Sequence, residues 1–198
     1  MVGLTRAVGM LERAVHYGLV SFEGIERSAL SRPTPCARWD LEDVLRHVND
    51  SVAALSQGAE SGLIDLDSST EYGGRTEDLV EEVQEGAKRL LGSWQRYLLT
   101  DQAEQKIGGK PIESGVVALV GAVEIAVHGW DIAEARGIHR PIPVRLALDM
   151  LRWAPLIVEE ATRPALFNAP VRMSPLASPS DRLVAFLGRS PRAWAADG

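Results

Sequence analysis

Between positions 4 and 30, Leu4, Val8, Leu11, Val15, Leu19, Phe22 and Ile25 recur at intervals of three and four. That is the period of a helix with one apolar face, so a first helix is predicted over this stretch. The segment "SRPTPCARW" ends it, because Pro33 and Pro35 lack backbone donors and restrict the residues before them. A second helix starts cleanly in "WDLEDVLRHVNDSVAAL". Asp40 is placed to cap it, Asp43 to complete an acidic capping box, and Trp39 and Val44 to form a hydrophobic staple. Residues 58 to 76, polar and rich in glycine, read as a long loop.

A third helix follows, with Thr76 as its cap and Leu79, Val83, Leu90, Trp94, Tyr97 and Leu98 at helical spacing. "IGGKPI" marks a turn of the kind that closes a short hairpin. The fourth helix runs from about Glu113 to Arg136, stopped by Gly137. The fifth runs from Val144 to about Thr162 and carries Pro155, a kink position. From Pro164 the texture changes: "ALFNAPVRMSP" suggests a short strand and "SPSDRLVAFLGR" a short capped helix. The expected architecture is mainly α. A four-helix bundle occupies residues 1–163 and a small C-terminal α/β appendage residues 164–198.

A chain of 198 residues suits one domain with such an appendage. Its 45% hydrophobic content supplies a real core, which excludes a disordered chain. A net charge of -6 argues against a nucleic-acid footprint, and no basic amphipathic stretch suits an anionic membrane. Small molecules or proteins are the partners left. Cys36 is the single cysteine, so no intramolecular disulfide forms. "MVGLTRAVGMLERAV" meets charge at Arg6, Glu12 and Arg13, unlike a leader, and the apolar run Gly115 to Val123 is about half a bilayer span. A soluble cytoplasmic protein is expected. A homodimer through an apolar bundle face is compatible with the pattern, although no segment demands it.

Within that apolar fourth helix stand Glu124 and His128, four residues apart, and Asp131 three further on. Four residues bring side chains onto one face, about 6 Å apart at Cβ. A buried carboxylate costs several kcal/mol, by rough estimate, unless it is paired or bound to a metal. Imidazole plus carboxylate is a zinc ligand set, and catalytic zinc typically takes three protein ligands. Of the four histidines, His139 lies in a connection and His16 beside its helix's apolar stripe. His47, on the capped second helix, is the natural third ligand. The competing reading is structural: Glu124 and His128 pair across one turn, and His47 is a core histidine with a backbone partner.

"TPCARWDLEDVLRHV", followed downstream by "EIAVHGWDIAEARG" and near the end by "DRLVAFLGRSP", resembles the DinB-like metal-binding helix bundles. Within them the chain is most similar to the mycothiol-dependent maleylpyruvate isomerase branch, over residues 3 to 194. The resemblance implies a metal, usually zinc, held by His47, Glu124 and His128. Bacillithiol transferases carry His where Glu124 stands, so the glutamate points toward mycothiol as thiol cosubstrate. It further implies that the metal activates the thiol for addition to an electrophile, giving an S-transferase or, with elimination, a cis–trans isomerase. Arg189 resembles an arginine that the isomerase branch uses near its active site, or else is a surface arginine ending a short helix; Arg182 is the weaker candidate for that task. Asp131 is either a partner orienting a ligand histidine or a surface acid. Cys36 has no histidine near it in sequence, and in this family the reactive sulfur comes from the cosubstrate, so it is not read as a nucleophile. Trp39 and Trp130 are pocket walls or plain packing. Against this stand a non-catalytic metal-binding module and a metal-assisted hydrolase with Asp131 as base. Because the chain is shorter than the isomerase, a reduced C-terminal portion and a substrate other than maleylpyruvate are expected.

Overall fold

The computed structural model describes residues 2–65, 78–158 and 167–191. Helix α1, Leu4–Phe22, buries the expected stripe, including Val8, Leu11, Val15 and Phe22. It stops well short of position 30, and Arg27–Ala29 form a separate 3-10 turn. The reason is tertiary. Gly24 turns left-handed at φ 63°, and Arg136 donates to the carbonyls of Ser21 (2.9 Å) and Gly24 (2.8 Å). An arginine far along the chain thereby satisfies carbonyls that a helix end leaves open.

Helix α2, Leu41–Ser61, opens on the predicted capping box. Asp43 N–H donates to Asp40 Oδ1 at 2.9 Å, and Asp40 N–H to Asp43 Oδ2 at 3.2 Å. The helix then runs on into the expected loop. Gly58 is helical because it packs closely: a Cβ there would lie 2.6 Å from Gln105 Oε1 and 2.8 Å from Ile64. Gly62, at φ 73°, ends the helix and β1, Leu63–Ile64, follows. The remainder of that loop and its Thr76 cap lie outside the described residues.

Helix α3, Leu79–Tyr97, leads to β2, Glu104–Ile107, and β3, Lys110–Glu113. These pair as an antiparallel hairpin across Gly108 and Gly109, both at positive φ, as a tight two-residue turn requires. Strand β1 joins β2 in parallel, giving a three-stranded sheet in the order β1-β2-β3.

Helix α4, Ser114–Ala135, is buried on nearly every side, which explains its lack of amphipathic pattern. It is the one described helix long and apolar enough to cross a membrane, but 83% of its apolar window is buried inside the protein. It packs against α1 and α2, and α3 closes the four-helix bundle. Glycines bring α1 and α4 together: a Cβ on Gly129 would lie 3.2 Å from the Cα of Gly18. Gly137, at φ 71°, ends α4 with its N–H on Glu134 O and the N–H of Ile138 on Ala133 O. That pair of bonds is a Schellman motif.

Helix α5, Val144–Ile157, carries Pro155 in its last turn. Its expected extension to Thr162 and the boundary at Pro164 fall outside the described residues. Helix α6, Pro179–Phe186, packs on α5 and has Ser178 as cap, accepting from Asp181 N–H at 3.1 Å. No strand forms in described residues 167–175, so the sheet belongs to the middle of the chain.

Candidate metal centre

The cap at Asp40 fixes the rotation of α2, and the packing of α2 on α4 aims His47 at the acid–imidazole face of α4. His47 Nε2 lies 3.2 Å from Glu124 Oε2, and His128 Nε2 lies 3.4 Å from the same oxygen. The three ligand atoms are all within 4.8 Å of one another. Two imidazole nitrogens and a carboxylate oxygen at this separation are a donor set suited to a zinc-like divalent ion. Of the other histidines, His16 is exposed on α1 and His139 sits at the surface beside Glu134.

Asp131 is fully buried behind the cluster, one turn along from His128. Its Oδ2 lies 3.0 Å from His128 Nδ1. An ionised carboxylate only accepts, so Nδ1 carries a proton toward Asp131, and loss of the Nε2 proton would leave a lone pair on the Glu124 side, as a metal ligand needs. Arg189 in turn holds Asp131 through Nη2 to Oδ2 (2.8 Å) and Nε to Oδ1 (3.3 Å). The arginine is delivered by a turn. After α6, Gly188 at φ 86° places its N–H on Ala185 O and the N–H of Arg189 on Val184 O. This second Schellman motif points the chain back at the bundle. Sequence reading found Asp131 and Arg189 separately but not their contact. Arg182 is exposed and does not line the site.

The electrostatics follow from these contacts. Burial pushes the Glu124 carboxyl up, but hydrogen bonds from His128 and His47 outweigh it and hold the group far below the usual range. Burial likewise opposes charge on Asp131, and the neighbouring Arg189 and His128 reverse the balance and depress it. His128 is lifted against the effect of burial by its bonds to Asp131 and Glu124. Arg189 is raised by Asp131 in the same way.

The cluster lines a cavity of about 310 Å³. One wall is the loop from Pro35 to Trp39; Phe167, Asn168 and Arg189 complete another. Trp39 lies against both imidazoles, its ring centroid 4.8 Å from His47 and 5.9 Å from His128. Trp130 is core packing and contributes no wall. Cys36 is nearer the chemistry than its sequence neighbours suggest, grouping with His128 and Asp131 within 4.8 Å. Asp131 is already bound to both His128 and Arg189, so that second group has no free carboxylate to offer an ion. Burial raises the Cys36 thiol to about 11. Its thiolate fraction at neutral pH is then roughly a hundred-fold below that of an ordinary cysteine. Alkylation by iodoacetamide, followed by intact mass, is expected to be slower than for unfolded protein by about that factor.

A domain family described as the mycothiol maleylpyruvate isomerase N-terminal domain matches residues 12–133, which include His47, Glu124, His128 and Asp131. The crystal structure of the mycothiol-dependent maleylpyruvate isomerase aligns with 86% of this chain and 75% of its own, with a TM-score of 0.61 and 15% identity. At that identity the likeness is one of fold. No curated protein matches the chain in sequence. With more than half of its length matched, the chain belongs to the mycothiol maleylpyruvate isomerase N-terminal domain family, on a DinB-like helix bundle.

Proposed function

We propose that the protein is a cytoplasmic, metal-dependent enzyme that activates a low-molecular-weight thiol, mycothiol, for addition to an electrophilic small molecule, acting as an S-transferase or a cis–trans isomerase. His47, Glu124 and His128 would hold the divalent ion, with zinc the best match to two imidazoles and a carboxylate. Such an ion, when bound, lowers the pKa of a coordinating thiol so that thiolate prevails at neutral pH. One observation carries this reading: two Nε2 atoms meet one Glu124 oxygen at 3.2 and 3.4 Å in the wall of a cavity. Family membership supplies the thiol.

The chain's own residues prepare the site. Asp131 keeps the proton of His128 on Nδ1, and Arg189 keeps Asp131 in place. Trp39 packs against both imidazole rings and restricts their rotation. The hydrolytic reading is weaker, because its base would be Asp131. That carboxylate is fully buried, doubly bonded to partners and depressed in pKa, which makes it a poor proton acceptor.

The test is elemental analysis of the reconstituted full chain, followed by thiol consumption with a panel of electrophiles. About one divalent ion per chain is expected, with mycothiol consumed only by loaded protein. Metal without turnover would support the binding-module reading. No metal uptake would return the three side chains to a structural ion-pair cluster.

A further inference from the structure

Arg38 stands apart among the charges lining the cavity. Glu124 is shared by two imidazoles and Arg189 is matched by Asp131. For Arg38 no hydrogen bond or ion pair is seen among the described residues, and its side chain is exposed at the cavity.

Its backbone is also unusual. Arg38 is the one described non-glycine residue at positive φ, 77°. It occupies the third position of a turn closed by Trp39 N–H on Cys36 O at 3.1 Å. A left-handed residue at that position is the type II signature, and glycine is the residue that adopts it without strain. The turn is held firmly. Thr34 Oγ1 donates to Trp39 O at 2.9 Å and accepts from Cys36 N–H at 3.2 Å, while Pro33 and Asp40 bridge the loop's base. A side chain kept where the backbone favours none, at the edge of a cavity, is strain of the kind that gathers at ligand sites.

We infer that Arg38 is a specificity-determining residue: its guanidinium holds an anionic group, a carboxylate, of the small molecule occupying the cavity. Guanidinium matches carboxylate through two parallel hydrogen bonds, and an unpaired arginine has both to offer. The inference rests on the reading above in taking this cavity as the small-molecule site. The anion can be borne by the thiol or by the electrophile, and both sources present the same chemistry.

Two probe pairs separate these sources by calorimetry: 3-mercaptopropionate against 3-mercaptopropionamide on metal-loaded protein, and maleate against maleamide on metal-free protein. Wild type is expected to prefer the anionic member of at least one pair by about ten-fold. Arg38→Gly is expected to abolish the preference and Arg38→Lys to keep part of it. The Tm of Arg38→Gly should be no lower than wild type, since glycine takes that turn position freely. Metal content, measured in parallel, reports on the proposed metal centre independently of either preference. A preference that survives in Arg38→Gly, or a wild type with none in either pair, would overturn the inference.

Discussion

Replacing Asp131 with alanine is expected to destabilise the protein by about 3–5 kcal/mol, the usual consequence of removing one partner from a buried ion pair. Asp131 is 0% exposed and Arg189 6%, so water cannot take over the lost contacts. The guanidinium would lose two hydrogen bonds at once, and His128 Nδ1 its acceptor. Urea unfolding of the metal-free protein measures the effect without interference from ligand binding. The double variant Asp131→Leu with Arg189→Met should lose much less than the sum of the two single changes, because both charges leave together. Additive losses would mean that the two side chains act separately and that their contact contributes little. Metal affinity gives a second readout: in Asp131→Asn it is expected to fall by about 10–100-fold, since an asparagine orients the imidazole less well than a carboxylate does.

The elements that position this site were legible where the instructions are local. The cap at Asp40, the spacing of Glu124 and His128, the Gly108–Gly109 turn and the stop at Gly137 each depend on residues a few positions apart. What escaped reading depends on partners far along the chain. Helix α1 ends where Arg136, more than a hundred residues on, reaches its last carbonyls. Gly58 reads as loop because only the side chains of Gln105 and Ile64, lying against it, explain a glycine inside a helix. Cys36 comes close to His128 only through the folding of α2 against α4. Arg189 did leave a signal, since the glycine before it in "FLGRSP" is a natural left-handed cap that redirects the chain. Arg38 left none, because nothing in its neighbours announces a positive φ.

Glu124→Ala is expected to remove metal binding while leaving the metal-free fold nearly intact, and that separation distinguishes a ligand from a structural ion pair. The Glu124 side chain is 26% exposed and that of His47 37%, so water can replace part of what their contact loses. His128 would retain Asp131. The metal-free Tm should therefore change by only a few degrees. Metal addition should act very differently on the two proteins. An ion at about a thousand times its Kd stabilises the folded state by about 4 kcal/mol, which for a chain of this size raises Tm by about 8–16 °C. Wild type should show that rise, reversed by a chelator; Glu124→Ala should show almost none, and His47→Ala should follow it. His16→Ala, altered on the exposed face of α1, is the control that should behave as wild type. Were Glu124→Ala to keep the full rise, the ion would be held elsewhere. A large drop in metal-free Tm, with no metal response in wild type, would instead make the glutamate a strut between two histidines.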